Sequence, residues 1–208
     1  MSKTIRMSKR ICIVCEGYEE VDYLSRLVEL KVFDNAYAIC LKNAKSINNI
    51  AAVYQYEYNN TRNDLVLVLC DTEEYPYSDY NKVNADLKKI LGSKAIVEKV
   101  LYFANPCTMQ IILSHFSMVR LNSSNKSSNS RIIESCTDVA EYRATQNQRS
   151  RIMSQLSSDN YVTMKKNIGN IFATDPTQRP STNFASLIKY LESPNTDWVK
   201  KIYRAITK

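Results

Sequence analysis

The sequence predicts an α/β protein: a mainly parallel sheet with helices on both faces, followed by a helical C-terminal region. Apolar runs alternate with segments of helical periodicity in the first half of the chain. The runs 11–15 and 65–70 are continuously apolar, which is typical of strands buried on both faces. The pattern after residue 130 is helical. We predict an α/β core at 1–121 and a basic helical region at 131–208 packed on it, with one single domain as the alternative.

Each element follows from its local pattern, with β-branched apolar runs predicted as strands and apolar residues three or four apart predicted as helices. In the first half the order is strand Ile11–Cys15, helix Glu20–Val32, strand Ala36–Leu41, helix Lys45–Tyr58, strand Leu65–Cys70, helix Ser78–Leu91, strand Ile96–Phe103, and a helix from Asn105-Pro106 whose apolar face reaches Val119. In the second half helices are predicted at Cys136–Leu156, Asn160–Ala173, Asn183–Glu192 and Asp197–Ile206. Ser78 is predicted to cap its helix and Gly92 to end it. Residues 122–130, rich in Ser and Asn, are predicted to be a flexible loop.

Composition narrows the class of protein. The chain has 208 residues with 3 glycines and 5 prolines, as expected of a globular protein. It has no apolar run of the roughly 20 residues that a membrane helix needs, so we expect a cytoplasmic protein with no membrane partner. Cys12 and Cys15 have a zinc-like spacing, but in a strand they point to opposite faces, which favours buried reduced thiols over a zinc site.

Positive charge is concentrated in the second half of the chain. The net charge is +7; residues 1–104 hold 14 basic and 14 acidic residues, and residues 105–208 hold 14 basic and 7 acidic residues. Such a local surplus of positive charge is expected of a surface that binds nucleic acid. It is also expected of an ordinary solvated helical surface, and charge alone favours this second interpretation.

Acidic residues follow two of the predicted strands. Glu16 ends the first strand, and Asp71 and Glu73 follow the third. Ligands of parallel sheets gather at the carboxyl ends of the strands, and carboxylate oxygens suit Mg²⁺ or Mn²⁺. The same acids are also well placed to cap helices, and spacing alone leaves both interpretations open.

Three stretches resemble a known family. The first, at 13–24, has a hydrophobic strand, Glu-Gly, an acid and a helix; the second, at 67–73, ends in Asp-Thr-Glu; the third, at 105–116, begins Asn-Pro-Cys and ends His-Phe. In this order they resemble Toprim-domain proteins related to OLD-type nucleases, and the third resembles the RloB-like branch. The resemblance covers about residues 10–120. It implies a Toprim fold, divalent-metal nuclease chemistry, and a role in prokaryotic defence beside an ABC- or AAA-type ATPase partner.

The resemblance also implies roles for individual residues. Glu16 would be the general acid/base or a metal ligand, and Asp71 and Glu73 would hold Mg²⁺ or Mn²⁺. Glu20 would support a second cation or the first one. Lys165, in a Tyr/Lys stretch similar to one in RloB-like proteins, would contact the scissile phosphate; by itself it is better explained as a solvated lysine.

Two positions depart from the family pattern. Met109 stands where RloB-like proteins have Glu, which removes one carboxylate near the metal. Glu73 stands where Asp is usual. The change at Met109 implies weaker catalysis, a single-metal site, or an inactive relative kept for binding.

Further residues complete the predicted site. The resemblance includes His115, but its apolar neighbours favour a hydrogen-bonded core residue. The residues predicted to track phosphates along the basic half are Arg143, Arg149, Arg151, Lys165 and Lys166.

The predicted function is phosphodiester hydrolysis of RNA or DNA by a metal-dependent nuclease. The alternative is a catalytically weak binding or regulatory partner of an ATPase, which Met109 favours. A flavodoxin-like nucleotide-binding domain lacks support, because Gly17 stands alone after the first strand with no glycine-rich loop. A homo-oligomer is compatible with either function.

Overall fold

The computed structural model describes residues 8–171 and 173–207. Within these residues the strands are β1 (Lys9–Cys15), β2 (Tyr37–Asn43), β3 (Leu65–Asp71), β4 (Leu101–Asn105) and β5 (Ser181–Thr182). The helices are α1 (Tyr18–Glu29), α2 (Ile50–Asn60), α3 (Ser78–Leu91), α4 (Thr108–Leu113), α5 (Ser130–Thr137), α6 (Gln146–Ser154), α7 (Ser158–Ile171), α8 (Phe184–Glu192) and α9 (Asp197–Ile206). No helix in the described part of the chain has the length and apolar character needed to cross a membrane.

The described residues form a five-stranded sheet in the order β2-β1-β3-β4-β5. The first four strands are parallel, and only β5 runs antiparallel, against β4. The register places Cys15 of β1 beside Leu69 of β3, so these two strands end at the same edge of the sheet. The predicted α/β class with a mainly parallel sheet is confirmed.

Helices cover both faces of the sheet, and each face has its own apolar core. One core joins the sheet to α1 and α8 through residues such as Leu24 and Leu187. The other joins it to α2 and α3 through residues such as Tyr54 and Leu87. Apolar side chains on both faces explain why the central strands are continuously hydrophobic in sequence.

The cysteines behave as the alternation of side chains in a strand predicts. Cys12 lies in the core with α2 and α3, whereas Cys15 lies in the core with α1. Both are buried and form no disulfide, so the prediction that they lie in the core is confirmed.

Several boundaries in the first half differ from the predicted ones. The predicted strand 96–103 begins as a 3₁₀ turn at Val97–Lys99, and β4 runs on to Asn105 instead. The predicted helix 45–58 likewise opens with a 3₁₀ turn, at Ile47–Asn49, ahead of α2. The helix predicted to reach Val119 is shorter, because α4 begins at Thr108 and ends at Leu113.

The predicted cap at Ser78 is also wrong. Tyr77, with φ 61°, is the N-cap of α3, and Ser78 is the first helical residue. Gly92 does end α3, with φ 99°, a backbone conformation that is open to glycine at little cost.

The long helix predicted at 136–156 is wrong. Its span contains α6 and the end of α5, and the chain between them turns through three residues of positive φ, Asp138, Glu141 and Ala144. Thr145 then caps α6 by accepting a hydrogen bond from the backbone N–H of Gln148. Thr145 and Gln148 form a Thr-x-x-Gln capping box, a helix-start signal that the predicted single helix did not take into account.

The remaining C-terminal helices agree well with the predicted ones. Helix α9 has the predicted bounds, and α8 begins one residue later than predicted. Helix α7 covers most of the predicted helix 160–173, of which residue 172 lies outside the described residues. Strand β5 was not predicted, because two residues carry no periodicity. Strand β5 places part of the C-terminal region in the sheet. The predicted division into 1–121 and 131–208 is not tested by the fold and stays a prediction.

Candidate metal centre

The site begins where β1 and β3 end side by side. The backbone N–H of Glu16 donates to the carbonyl of Leu69 at 3.2 Å. The backbone N–H of Asp71 in turn donates to Glu16 Oε2 at 3.0 Å. The parallel register therefore brings together two acids that lie 55 residues apart in the chain.

Two more acids come from the first turn of α1. Glu19 and Glu20 are buried, with 6% and 3% exposure. Glu20 Oε2 accepts a hydrogen bond from the backbone N–H of Gly17 at 2.8 Å, so Glu20 caps the helix. Glu16, Glu19, Glu20 and Asp71 are called the carboxylate cluster below.

Asp71 also caps a helix, this time from a different element. Its Oδ1 accepts hydrogen bonds from the backbone N–H of Thr108 at 2.7 Å and from the Thr108 hydroxyl at 2.8 Å. Thr108 is the first residue of α4. The capping interpretation of the acids after the strands is thus realised at Asp71, and Glu20 caps α1 as well. These hydrogen bonds use a single carboxylate oxygen of each residue, so they leave a metal role open.

Glu16, Glu20 and Asp71 resist losing their protons. Burial, followed by the charge of Glu20, raises the pKa of Glu16 to about 8. Burial and the charges of Glu20 and Glu16 raise the pKa of Asp71 well above its usual range. Burial and Glu19 raise the pKa of Glu20. Like charges held in a buried site favour protonation unless a cation neutralises them.

The chemistry of this donor set fits a hard divalent cation. Among the described contacts, Glu16 Oε1 and Asp71 Oδ2 accept no hydrogen bond, so each acid keeps one oxygen for a ligand. Oxygen donors of this type suit Mg²⁺ and Mn²⁺. The fit is chemical rather than geometric: in the described part of the chain, no three His, Cys, Asp or Glu side chains converge as a formed ion cage.

Glu73 lies at the edge of the cluster and is partly exposed. Its charge contributes to the raised pKa of Glu16, which places it near that residue. Its backbone is in the left-handed region, with φ 61°, and its carbonyl accepts a hydrogen bond from Arg179 Nη2 at 2.8 Å. A non-glycine residue in this region is strained, and such strain is typical of functional turns.

Arg179 and Glu74 connect this turn to the segment 122–130. Arg179 Nη1 lies 3.0 Å from Glu74 Oε2 and 3.0 Å from the carbonyl of Asn122. Glu74 Oε1 also accepts from the backbone N–H of Ser124 at 2.7 Å. The Ser- and Asn-rich segment is therefore fixed beside the acidic turn by a network of hydrogen bonds.

Two partners of the cluster escaped sequence reasoning. Lys126 Nζ lies 3.4 Å from Glu19 Oε2, and the Tyr142 hydroxyl donates to Glu19 Oε1 at 2.5 Å. Burial lowers the pKa of Lys126, but the charge of Glu19 and a hydrogen bond to it outweigh burial and raise that pKa. Neither Lys126 nor Tyr142 lies in a recognisable local motif. Of the three residues in these contacts, only Glu19 lies in a quoted motif, the Glu-Gly stretch, so only Glu19 could have been predicted to belong to the site.

The predicted phosphate-tracking residues divide into two groups. Arg149 and Lys165 are engaged within the protein: Arg149 Nε lies 2.6 Å from Asp22 Oδ2, and Lys165 Nζ lies 2.7 Å from Glu192 Oε1. The others, Arg143, Arg151 and Lys166, are exposed.

Arg143 and Arg149 lie close to elements of the site. Arg143 lines a cleft of about 200 Å³ together with Ser127 and Tyr142. The Arg149 guanidinium lies 5.1 Å from the ring centroid of Tyr18, the residue that begins α1. Lys165 instead lies over the Tyr161 ring, and its described contacts are on α7 and α8.

His115 and Met109 are both core residues. His115 Nε2 lies 3.0 Å from the Tyr23 hydroxyl and Nδ1 lies 3.1 Å from Asn160 Oδ1. Burial lowers the pKa of His115 to about 4, so the ring is neutral at pH 7. The prediction of a hydrogen-bonded core histidine is confirmed. Met109 is 1% exposed and packs in the core on the α1 side.

Comparisons with known proteins give one structural similarity. The C-terminal region of the Burkholderia pseudomallei OLD protein aligns over 95% of this chain and 96% of its own, with 13% identity and a TM-score of 0.42. No protein-family model matches the chain, and neither does any curated protein sequence.

Proposed function

We propose that this protein is a Toprim-type, divalent-metal-dependent nuclease that hydrolyses phosphodiester bonds in RNA or DNA. The observation that carries the proposal is the meeting of Glu16 and Asp71 at the ends of adjacent parallel strands, 3.0 Å apart from carboxylate to backbone. Buried acids in such a group resist ionisation unless a cation compensates their charge. The resemblance of the three sequence motifs to RloB-like proteins supports the same class.

Each acid has a role that its surroundings favour. Glu16 and Asp71 would hold Mg²⁺ or Mn²⁺ through the oxygens left by their hydrogen bonds, and Glu20 and Glu73 would complete the charge around the ion. A bound divalent ion supplies a Lewis acid for the phosphate and lowers the pKa of water. Thr108 holds Asp71 in place, because the helix N–H and hydroxyl fix one carboxylate oxygen.

Glu16 is the best candidate for proton transfer. Its pKa of about 8 lies close to neutral pH, where a general acid or base works best. It is also only half-buried, so water and a substrate can reach it. Arg143, Arg151 and Lys166 are the exposed cations proposed to bind nucleic acid, and Arg149 and Lys165 are proposed to support them through their ion pairs.

The test is cleavage of mixed tRNA, single-stranded RNA and plasmid DNA with Mg²⁺ or Mn²⁺. We would compare the wild type with Asp71→Asn, which keeps the acceptor for Thr108 but removes the charge. Glu134→Gln, on an exposed face of α5, is the matched control for the loss of one acid. Metal-dependent cleavage that disappears only in Asp71→Asn supports the proposal; cleavage that survives in Asp71→Asn contradicts it.

A second candidate function is a binding or regulatory partner of an ATPase in anti-phage defence. The observation that favours it is Met109, which is buried in the core and adds no carboxylate to the site. The incomplete convergence of the acids is also consistent with a weak or inactive centre. The absence of cleavage by the wild type, both alone and with an ATPase encoded beside it, would favour this function.

A further inference from the structure

The two sides of the carboxylate cluster differ in how their oxygens are used. On the strand side, Glu16 and Asp71 each keep an oxygen that accepts no hydrogen bond among the described residues. On the helix side, both oxygens of Glu19 are engaged: Oε1 by the Tyr142 hydroxyl and Oε2 by Lys126. The strand side can receive an ion, whereas the Glu19 side already has a cation.

Lys126 reaches the cluster from a segment that is held in place at both ends. Near its beginning, Ser124 donates to Glu74. Near its end, Asn129 is 1% exposed and its side-chain amide donates to the carbonyl of Asn125 at 3.1 Å. Because these hydrogen bonds already order the loop, holding Lys126 beside the cluster costs little chain entropy.

We propose that the Lys126 ammonium is a tethered cation that takes the place of a divalent ion beside Glu19. The remaining acids then hold one divalent ion, and the site works with one metal and one lysine. This inference rests on the proposed function in one respect, namely that the cluster binds a divalent ion.

The experiment is Mn²⁺ binding to the full chain, measured by equilibrium dialysis and by electron paramagnetic resonance. The variants are Lys126→Met, which removes the charge at similar length, and Lys126→Arg, which keeps it. Lys94→Met, at an exposed position after α3, is the matched control for losing one lysine. Lys126→Gln is a second uncharged variant, and circular dichroism verifies that each variant is folded.

We expect one Mn²⁺ per wild-type chain. Lys126→Met and Lys126→Gln should bind a second ion, or bind the first about tenfold more tightly, because a like charge a few ångströms away is removed. Lys126→Arg and Lys94→Met should match the wild type.

Three results would overturn it. Two Mn²⁺ ions in the wild type would show that Lys126 displaces none. Binding that is abolished by Asp71→Asn but unchanged in both uncharged Lys126 variants would refute the role of the lysine and leave the proposed function intact. No binding by the wild type or by the uncharged variants would refute both the inference and the metal site.

Discussion

Replacing Glu16 by glutamine should stabilise the metal-free protein at alkaline pH. The pKa of Glu16 is about 8 in the folded chain, against 4.5 for an unperturbed Glu. Between these values the folded state binds a proton that the unfolded state has lost, so the free energy of unfolding falls as pH rises. Glutamine is neutral at every pH and keeps an oxygen that can accept from the Asp71 N–H.

The size of the effect follows from the shift. One pKa unit corresponds to about 1.4 kcal/mol, which limits the gain at pH 9 to roughly 5 kcal/mol. Because a buried amide retains part of the cost of desolvation, we expect the variant to be more stable by about 2–4 kcal/mol. At pH 5, where Glu16 is protonated in the folded chain, the two proteins should have nearly equal stability.

Urea unfolding followed by circular dichroism, with metal chelated, measures this difference at pH 5 and pH 9. Glu134→Gln, at an exposed position, is the control for the loss of one negative charge. Because Glu16 is a proposed metal ligand, saturating Mg²⁺ should reverse the order of stability at alkaline pH by stabilising the folded wild type that binds it.

Two results would contradict this prediction. Equal stability of Glu16→Gln and the wild type at pH 9 without metal would show that ionised Glu16 is not penalised in the fold. A difference of the same size at pH 5 would show that the variant acts through packing rather than through charge.

Three further predictions concern other parts of the molecule. Asp71→Asn should lower the affinity for Mn²⁺ and the proposed nuclease activity by about 100-fold or more, since it removes a carboxylate of the proposed metal site; isothermal titration that gives the wild-type affinity would contradict this. Tyr142→Phe should lower the free energy of unfolding in urea by about 1–3 kcal/mol, because it removes the hydroxyl that donates to buried Glu19 and leaves Glu19 Oε1 unsatisfied. An unchanged midpoint of the urea transition would mean that water replaces the hydroxyl. Gly92→Ala should lower the free energy of unfolding in urea by about 1 kcal/mol, because φ is 99° and an alanine is strained there. No heavy atom lies within 4 Å of the added Cβ, so a loss several times larger would contradict this environment of Gly92.

The sequence predicted elements well where a local pattern was long and regular. The continuous run at 65–70 and the apolar periodicity of 197–206 each gave the right element, because burial on two faces or on one stripe is written directly in the residues. It failed at 136–156, where apolar spacing suggested one helix. Tertiary packing instead accommodates three positive-φ residues, and Thr145 restarts the helix.

The site divides in the same way. The acids after the two central strands were found because strand ends and carboxylates are both visible in sequence, and parallel strands bring their ends together. The capping alternative left open for the acids after the strands is realised at Asp71, which caps α4. The cap that Glu20 forms on α1 was not predicted, and the metal role of both residues stays a prediction.

The α/β class, the central strands and the acids at their ends could be predicted from the residues, because these features depend on local hydrophobic patterns and on short motifs. The distant residues that complete the cluster could be identified only from the folded chain. Lys126 and Tyr142 reach Glu19 across more than a hundred residues of chain, and Arg179 joins the acidic turn to the loop that carries Lys126. Contacts of this kind depend on how loops and helices pack over the sheet, and no local periodicity records that packing.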